Sequence, residues 1–325
     1  MWTYVIRRLI YNIPVFLTIV IIVMVMLRVG DPVRDHLSKQ PSVEERALKE
    51  KELGLDRPFL VQYGSFLAEF VTLDFSRQSW KFPGRTVGQE IRQAIVPTLS
   101  LTVPALVTTS FLSICIGMLS AFFRGSRLDR TLMFVAVLGM SVSFLVYIIL
   151  GQYFIAHLPA KWMADNGHDA WRDYWFATQG YRSGLGNWFH FLALPVMISV
   201  IVAMGYDTRF YRAVMVEETT RDYITTARAK GASRFRIMFV HMLRNALIPI
   251  TTRIMITLPF LITGSILLES FFGIPGMGAK LISAVSEHDL PVVETFAALF
   301  ALLFIISNVL TDVVYALVDP RVRLS

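Results

Sequence analysis

The segment Asp222–Pro249, with the sequence DYITTARAKGASRFRIMFVHMLRNALIP, separates two long apolar runs of the chain. It is basic and rich in helix formers, and Gly231 interrupts it. The runs beside it, Trp188–Tyr206 and Ala246–Leu268, are each long enough to cross a bilayer, which takes ~20 apolar residues. The segment is therefore predicted to be a charged helical insert at a membrane surface, of the kind that meets a partner.

Four more apolar runs of similar length bring the total to six. They are Leu9–Leu27, Val96–Phe123, Thr131–Leu158 and Val292–Val318. Only 17% of the residues are charged, and the mean hydropathy is +0.55, whereas a soluble domain carries roughly 25% charge. Prolines in or beside the runs are tolerated in transmembrane helices. The sequence predicts an all-α membrane protein with six transmembrane helices.

The orientation follows from the short segments between the runs. Arg7 and Arg8 precede the first run, and no small-residue cleavage site follows it, so we interpret it as an uncleaved span. Basic residues are concentrated in 124–130 and 207–245, whereas a segment as long as 28–95 translocates largely regardless of its charge. Both termini are therefore predicted to be cytoplasmic. This orientation explains the net charge of +7 without a nucleic-acid partner.

The segment 29–95 is predicted to form a small extracytoplasmic subdomain on the membrane surface. Its Pro41–Leu55 part reads as a short helix with Ser42 as N-cap and Glu45 three residues later. Aromatic residues then recur at near-helical spacing. They are Phe59, Tyr63, Phe66, Phe70 and Phe75.

The outer loop 159–187 contains a group of residues that resembles a metal site. His168 lies near Asp165, Asp169 and Asp173. Scattered polar residues in an exterior loop are the commoner explanation of such a group, so we predict no metal.

Signatures of catalysis are absent from the sequence. There is no H-E-x-x-H, no paired-cysteine spacing and no G-x-S-x-G. Gly273–Lys280 resembles a phosphate-binding loop, but an alanine is inserted before Lys280 and Leu281 replaces the hydroxyl residue that would hold Mg²⁺. The chain is predicted to be neither an enzyme nor a nucleotide-binding protein.

The stretch Phe271–Gly278 is too rich in glycine and proline to remain helical. Irregular backbone at membrane depth is acceptable where it lines a cavity or is buried in protein, and a plain exterior turn is the alternative. Ionisable residues within the runs mark pathways or snorkel to the surface; they are Arg253, Glu294 and Asp312. We favour snorkelling for Asp312 and leave Arg253 open. The candidate pathway-lining residues are Arg253, Phe272, Pro275, Gly276 and Gly278.

Within the basic segment, Gly231 permits a sharp turn between two short helices, and Ser233 fits the N-cap of the second. An interfacial amphipathic helix held by anionic lipid is the alternative interpretation.

Several motifs, in order along the whole chain, resemble those of ABC-importer permease subunits of the dipeptide, oligopeptide and nickel branch. The motif of the cytoplasmic loop is matched by TTARAKG at Thr225–Gly231 and HMLR at His241–Arg244. The other matches are Tyr4–Arg8, Gly30–Pro32, Glu52–Pro58, Phe272–Gly278, His288–Val293 and Asp319–Arg323. Thr225, Thr226 and Arg244 depart from the general permease pattern, though not from this branch.

The resemblance implies the type I importer permease fold in a bacterial inner membrane. It implies a homologous second permease, two cytoplasmic ATPases that bind ATP and Mg²⁺, and an extracytoplasmic substrate-binding protein, while this chain binds no cofactor. The ATPases would dock on a coupling loop within 207–245. The residues that match it are Thr225, Thr226, Ala227, Arg228, Lys230, Gly231, Ala232 and Ser233.

The predicted organisation has four parts. Residues 1–28 form the N-terminus and first span, 29–95 the outer subdomain, 96–318 the five-helix core, and 319–325 a cytoplasmic tail. A six-helix secondary transporter or channel is the alternative function, but it would leave the coupling loop unexplained. The resemblance leaves open whether the solute is a peptide, a nickel chelate or a related compound.

Overall fold

The computed structural model describes residues 2–29, 31–34, 37, 41–167 and 174–318. Within these ranges the regular structure is helical, apart from one isolated β-bridge between Gln78 and Thr86. The tail 319–325 and the residues His168, Asp169 and Asp173 of the disfavoured metal group lie outside the described residues.

The helices are numbered in chain order. They are α1 Trp2–Met26, α2 Val43–Glu52, α3 Phe59–Val71, α4 Val87–Phe122, α5 Arg127–Ser141, α6 Phe144–Asp165, α7 Leu185–Glu218, α8 Asp222–Ala229, α9 Leu243–Thr263, α10 Ile266–Phe272, α11 Met277–Ser286 and α12 Leu290–Val318. A π-helical turn, Gln152–His157, lies within α6. A second, Ile237–Met242, leads into α9 after the short helical turn Arg234–Arg236.

Five of the described helices are long and apolar enough to cross a membrane, and α10 with α11, bent by 81°, would make a sixth. The five are Ile6–Met26, Val87–Phe122, Phe144–Asp165, Leu185–Glu218 and Leu290–Val314. These helices confirm the all-α membrane class. The fifth predicted run is interrupted, because α9 ends at Thr263 and Gly264 adopts a left-handed backbone with φ +75°.

The prediction of one continuous third span, Thr131–Leu158, is wrong. Helix α5 ends at Ser141, Val142 is extended with ψ 137°, and α6 begins at Phe144. Two serines and a β-branched valine at 141–143 weaken the helix locally, because serine competes for backbone hydrogen bonds and valine loses rotamer freedom. The span in this region is instead α6.

Helices α4 and α7 form the centre of the molecule. A Cβ atom on Gly117 of α4 would come within 3.0 Å of the Arg212 backbone nitrogen in α7. Lipid is as apolar as leucine, so transmembrane helices associate through close packing and small residues allow that approach. The two helices are therefore held in a fixed relation along which the other elements pack.

The outer segment packs on the membrane helices. The predicted N-cap of α2 is confirmed, since the Glu45 N–H donates to Ser42 Oγ at 3.0 Å. Phe66 and Phe70 of α3 are buried with Val20 of α1 and Ala298 of α12. Helix α3 therefore leans on the side of α1, while the boundaries of the predicted subdomain stay a prediction.

Candidate functional site

Helix α8 forms one arm of the candidate coupling loop and is buried on one face only. Ile224 and Ala227 are 1% and 7% exposed, and Ile224 packs with Met215, Met242 and Ile250 at the ends of α7 and α9. The opposite face is open. The exposed residues of α8 and of its C-cap are Asp222, Thr225, Thr226, Arg228, Ala229 and Lys230. The loop therefore has an anchored inner face and a free outer face.

The turn after α8 has the hydrogen bonds of a Schellman motif. Gly231 is left-handed with φ +77°, its N–H donates to Arg228 O at 2.9 Å, and Ala232 N–H donates to Ala227 O at 3.0 Å. Ser233 Oγ then accepts the Arg236 N–H at 3.3 Å and caps the next helical turn. The predicted Gly231 turn and Ser233 N-cap are both confirmed.

A buried ion pair fixes the helix ends behind this loop. Arg212 of α7 donates from Nε and Nη2 to the two carboxylate oxygens of Asp129 in α5, each at 2.7 Å. Asp129 also accepts the Ser120 hydroxyl and the Gly125 N–H. The Arg212 guanidinium, helped by these donors, holds the pKa of Asp129 well below its usual range.

A second polar contact lies at the base of α8. The Tyr223 hydroxyl donates to the Glu218 carboxylate at the end of α7. Burial, followed by this hydrogen bond, raises the pKa of Tyr223 to about 12. The phenol is therefore neutral near pH 7 and ties α8 to α7.

At the opposite end of the molecule, the bent pair α10–α11 folds around Glu269, which is 0% exposed. Thr98 Oγ1 of α4 donates to Glu269 Oε1 at 2.8 Å, and the Ala279 N–H donates to Oε2 at 2.9 Å. The Met277 N–H donates in turn to Thr98 Oγ1 at 2.8 Å. One carboxylate thus joins both arms of the bend to α4.

Three glycines make room for this carboxylate. A Cβ atom added to Gly264 or Gly276 would come closer than 3.0 Å to Glu269, and one added to Gly278 would lie 3.0 Å from Oε2. Phe272, Gly276 and Gly278 are buried in the protein. This burial favours protein packing over a plain exterior turn for Phe271–Gly278.

A cavity of about 420 Å³ lies between α4, α7 and α9. Its wall is apolar with several hydroxyls and one carboxylate; the polar residues are Thr102, Thr109, Ser199, Asp207, Thr257 and Ser265. Arg253 lies beside the lining and donates from Nε to Asp207 Oδ1 at 2.9 Å. The cavity is a candidate for half of a translocation path.

The other predicted lining residues lie elsewhere. Phe272, Gly276 and Gly278 do not line the cavity between α4, α7 and α9, and Pro275 faces a smaller outer cavity of about 210 Å³ next to Glu90 and Asp289. Their role in a path stays a prediction.

Comparison with known proteins gives the family. A family model described as "binding-protein-dependent transport system inner membrane component" matches residues 113–324. The chain belongs to this family. It is the membrane permease component of a binding-protein-dependent importer, in the peptide branch of ABC importer permeases.

Relatives match this permease along its full length. A probable peptide ABC transporter permease of Sinorhizobium fredii is 32% identical over 99% of this chain and 100% of its own. A glutathione transport system permease of Salmonella typhimurium is 32% identical over 99% of both chains. A putative peptide permease of Brucella suis is 32% identical over 100% of both chains. The family expectation is confirmed.

The permease pairs its ionisable residues within the spans. Glu294 of α12 accepts from Arg77 Nη1 at 3.2 Å, and Arg8 Nε lies 3.0 Å from Asp312 Oδ2. Asp312, for which we favoured snorkelling, is thus held by α1, and Arg253 is held by Asp207. These pairs join distant parts of the permease.

The sequence did not point to two of its central carboxylates. Glu269 directly follows an apolar run. Its partner Thr98 is 171 residues away in the sequence, and its other partner, the Ala279 backbone N–H, leaves no mark in the pattern of side chains. A usable signal was the recurrence of glycine on both sides of Glu269, at 264, 276 and 278. Asp207 was missed because Arg253, its partner, lies 46 residues later.

Proposed function

We propose that this permease carries peptides across the inner membrane, driven by two ATPase subunits that dock on its coupling loop. The observation that carries the proposal is the division of α8 into an anchored inner face and an exposed outer face. Thr225, Thr226 and Lys230 face outward beside the Gly231 turn. Such a tip can take up a partner's movement only if its base is rigid.

The base meets this requirement. Ile224 is packed among Met215, Met242 and Ile250, and the Arg212–Asp129 pair ties α7 to α5 directly behind it. A displacement of the tip would therefore be transmitted to α4, α7 and α9 and not absorbed in the loop. These three helices are also the ones that line the 420 Å³ cavity.

A homologous second permease would complete the path around this cavity. The mixture of apolar wall and scattered hydroxyls suits solutes with variable side chains, and relatives named for peptide and glutathione transport support peptides as the substrate class. The orientation with cytoplasmic termini puts 29–95 outside, where a substrate-binding protein would dock.

The chain itself would bind no nucleotide or metal. ATP and Mg²⁺ belong to the ATPase subunits, in agreement with the defective Gly273–Lys280 match to a phosphate-binding loop. The energy of ATP binding would therefore reach this chain only through the coupling loop.

Reconstitution of the complete importer tests this proposal. The full-length permease would be co-expressed with a candidate second permease and candidate ATPases from the same organism and placed in proteoliposomes. We expect uptake of labelled peptide and ATP hydrolysis, both stimulated by the binding protein. Uptake that persists without the ATPases would contradict the proposal and favour a secondary transporter.

A further inference from the structure

A cavity of about 510 Å³ lies between the inner face of the coupling loop and the ends of two spans. Phe122 closes α4 on one side of it and Thr219 follows α7 on another. Because both spans end here, the cavity lies at the level of the membrane surface, whichever side of the membrane that is.

Three arginines converge on this cavity. Arg124 follows α4, Arg228 belongs to α8, and Arg234 follows the Ser233 cap. Among the described residues, none of the three has a carboxylate within ion-pairing distance. Two other arginines of this region do have such partners: Arg212 is paired with Asp129, and Arg221 is paired with Glu217.

Apart from Thr219, the rest of the lining is apolar. Phe122, Ile237 and Met238 are partly exposed in the same wall. The cavity therefore combines unneutralised guanidinium groups with an apolar surface. Guanidinium forks match phosphate oxygens in geometry as well as in charge.

The cavity is on the side of α8 that faces the membrane helices. Arg228 lies four residues after Ile224 on α8, but whereas Ile224 is 1% exposed, the Arg228 side chain lines the cavity and reaches solvent. Thr225, Thr226 and Lys230, proposed above as the ATPase contact, lie on the exposed face. At Arg228 and Ala232, which line the cavity and also match the predicted coupling loop, a ligand would lie directly beside that contact.

We propose that this cavity binds the phosphate group of an anionic phospholipid, with Arg124, Arg228 and Arg234 around the phosphate and Phe122, Ile237 and Met238 against its apolar part. The location at the ends of two spans and the apolar wall favour a lipid over a free phosphate ion. The inference rests on the lining of this cavity and does not require the proposed docking of the ATPases.

The test measures lipid binding, not transport. The full-length permease, delipidated in a neutral detergent, is titrated with phosphatidylglycerol or phosphatidylcholine, and bound lipid is counted by native mass spectrometry. The variant R124Q/R228Q/R234Q is compared with R127Q/R130Q/R236Q, which removes the same charge from exposed arginines outside the cavity. Size-exclusion profiles and circular dichroism check that both variants are folded.

We expect the wild type to prefer phosphatidylglycerol, and the cavity variant to bind it roughly 100-fold more weakly, at about a factor of five per arginine. The control variant should stay within about two-fold of the wild type, because its arginines do not line the cavity. R228Q alone should lose about five-fold. Equal losses in both triple variants would overturn the proposal, since general surface charge would then explain the binding.

A competition experiment distinguishes the two sources of phosphate. Sodium phosphate is added to the phosphatidylglycerol complex against sodium chloride of equal ionic strength. We expect little extra displacement by phosphate, because the ion lacks the apolar part that the three side chains contact. Full displacement by phosphate alone, or equal binding of phosphatidylcholine, would overturn the assignment to an anionic phospholipid.

Discussion

The two ends of the permease use glycine for opposite reasons. At the outer bend, Gly276 leaves the space that Glu269 and Thr98 occupy, and a Cβ atom there would collide with both. At the coupling loop, Gly231 has no atom within 4 Å of the position of a Cβ and instead provides a backbone with φ +77°. One end is constrained by volume and the other by backbone conformation.

Because of this difference, we expect substitutions at the outer bend to change stability and substitutions at the coupling tip to change the contact with a partner. The outer bend is a packed joint in which an added atom must displace the buried carboxylate. The coupling tip is exposed, so a change there alters what a partner meets and leaves the core intact. Behind the tip, the Arg212–Asp129 pair joins α7 to α5. The predictions below are given in descending order of the expected loss of stability.

The largest loss is expected at the anchor behind the coupling loop. Arg212→Met leaves Asp129, whose side chain is 4% exposed, without its cation. Breaking such a pair costs about 3–5 kcal/mol, because a buried charge loses its compensation. Denaturant unfolding of the purified permease in detergent measures the change.

The matched control is Arg221→Met. Arg221 forms an ion pair with Glu217, in which both side chains are more than half exposed, so about 1 kcal/mol or less is expected. If the two variants lost the same stability, the coupling loop would lack the rigid base described here.

The next loss is expected from Gly276→Ala at the outer bend. The added methyl group would push on Glu269 and Thr98, and such overpacking costs about 1–3 kcal/mol. The melting temperature of the full-length permease in detergent reports the loss.

Gly64→Ala provides the comparison for the outer bend. Gly64 lies within α3 with nothing within 4 Å of its Cβ position, so alanine should add up to about 1 kcal/mol of stability through helix propensity. An unchanged melting temperature for Gly276→Ala would show that the bend can yield and is not a packed joint.

At the tip, we expect a small loss of stability and a large loss of transport. Gly231→Glu places a side chain in the left-handed region at a cost of about 1–2 kcal/mol and puts a charge on the proposed ATPase contact. Peptide uptake should be abolished while the amount of permease in the membrane stays near that of the wild type. Immunoblots of the membrane fraction and uptake of labelled peptide measure the two quantities.

Gly231→Asn separates the effect of the backbone conformation from the effect of a charge on the proposed contact. Asparagine tolerates the left-handed conformation and adds no charge, so most of the uptake should remain. Normal uptake by Gly231→Glu would remove the tip from the proposed coupling mechanism.

The last prediction concerns alkaline pH, and at neutral pH it involves no loss of stability. The pKa of Tyr223 is raised from 10 to about 12, mainly by burial. Its folded form therefore holds the proton more tightly than the unfolded form, and the resulting stability is complete below pH 10 and lost as the pH rises through 12. Unfolding curves of the wild type should fall more steeply than those of Tyr223→Phe between these two values. Parallel curves would show that folding does not raise the pKa of Tyr223.

Local features were predictable from the sequence, because their causes are local. Ser42, Gly231 and Ser233 act on backbone groups within five residues, so caps and turns could be placed before the structure was known. The membrane class followed from the apolar runs in the same way.

Features that depend on distant partners were not predictable. Glu269 is recognisable as a joint only when Thr98, 171 residues earlier, is beside it. The break at 141–143 was hidden because the longer stretches before and after it are apolar, and hydropathy does not record where the backbone stops being helical. The roles of the coupling and path residues stay predictions.

The sequence distances of these contacts have a consequence for synthesis. Asp129 and Arg212 are 83 residues apart, so at about 5–20 residues per second the second partner follows the first after about 4–17 s. At the outer end, Lys280 follows its partner Glu90 by 190 residues, which take about 10–40 s to synthesise. During synthesis the Asp129–Arg212 pair at the coupling end can therefore form before the Glu90–Lys280 pair at the outer end. A ribosome that stalls between the two points leaves a chain that has both partners of the first pair but lacks Lys280.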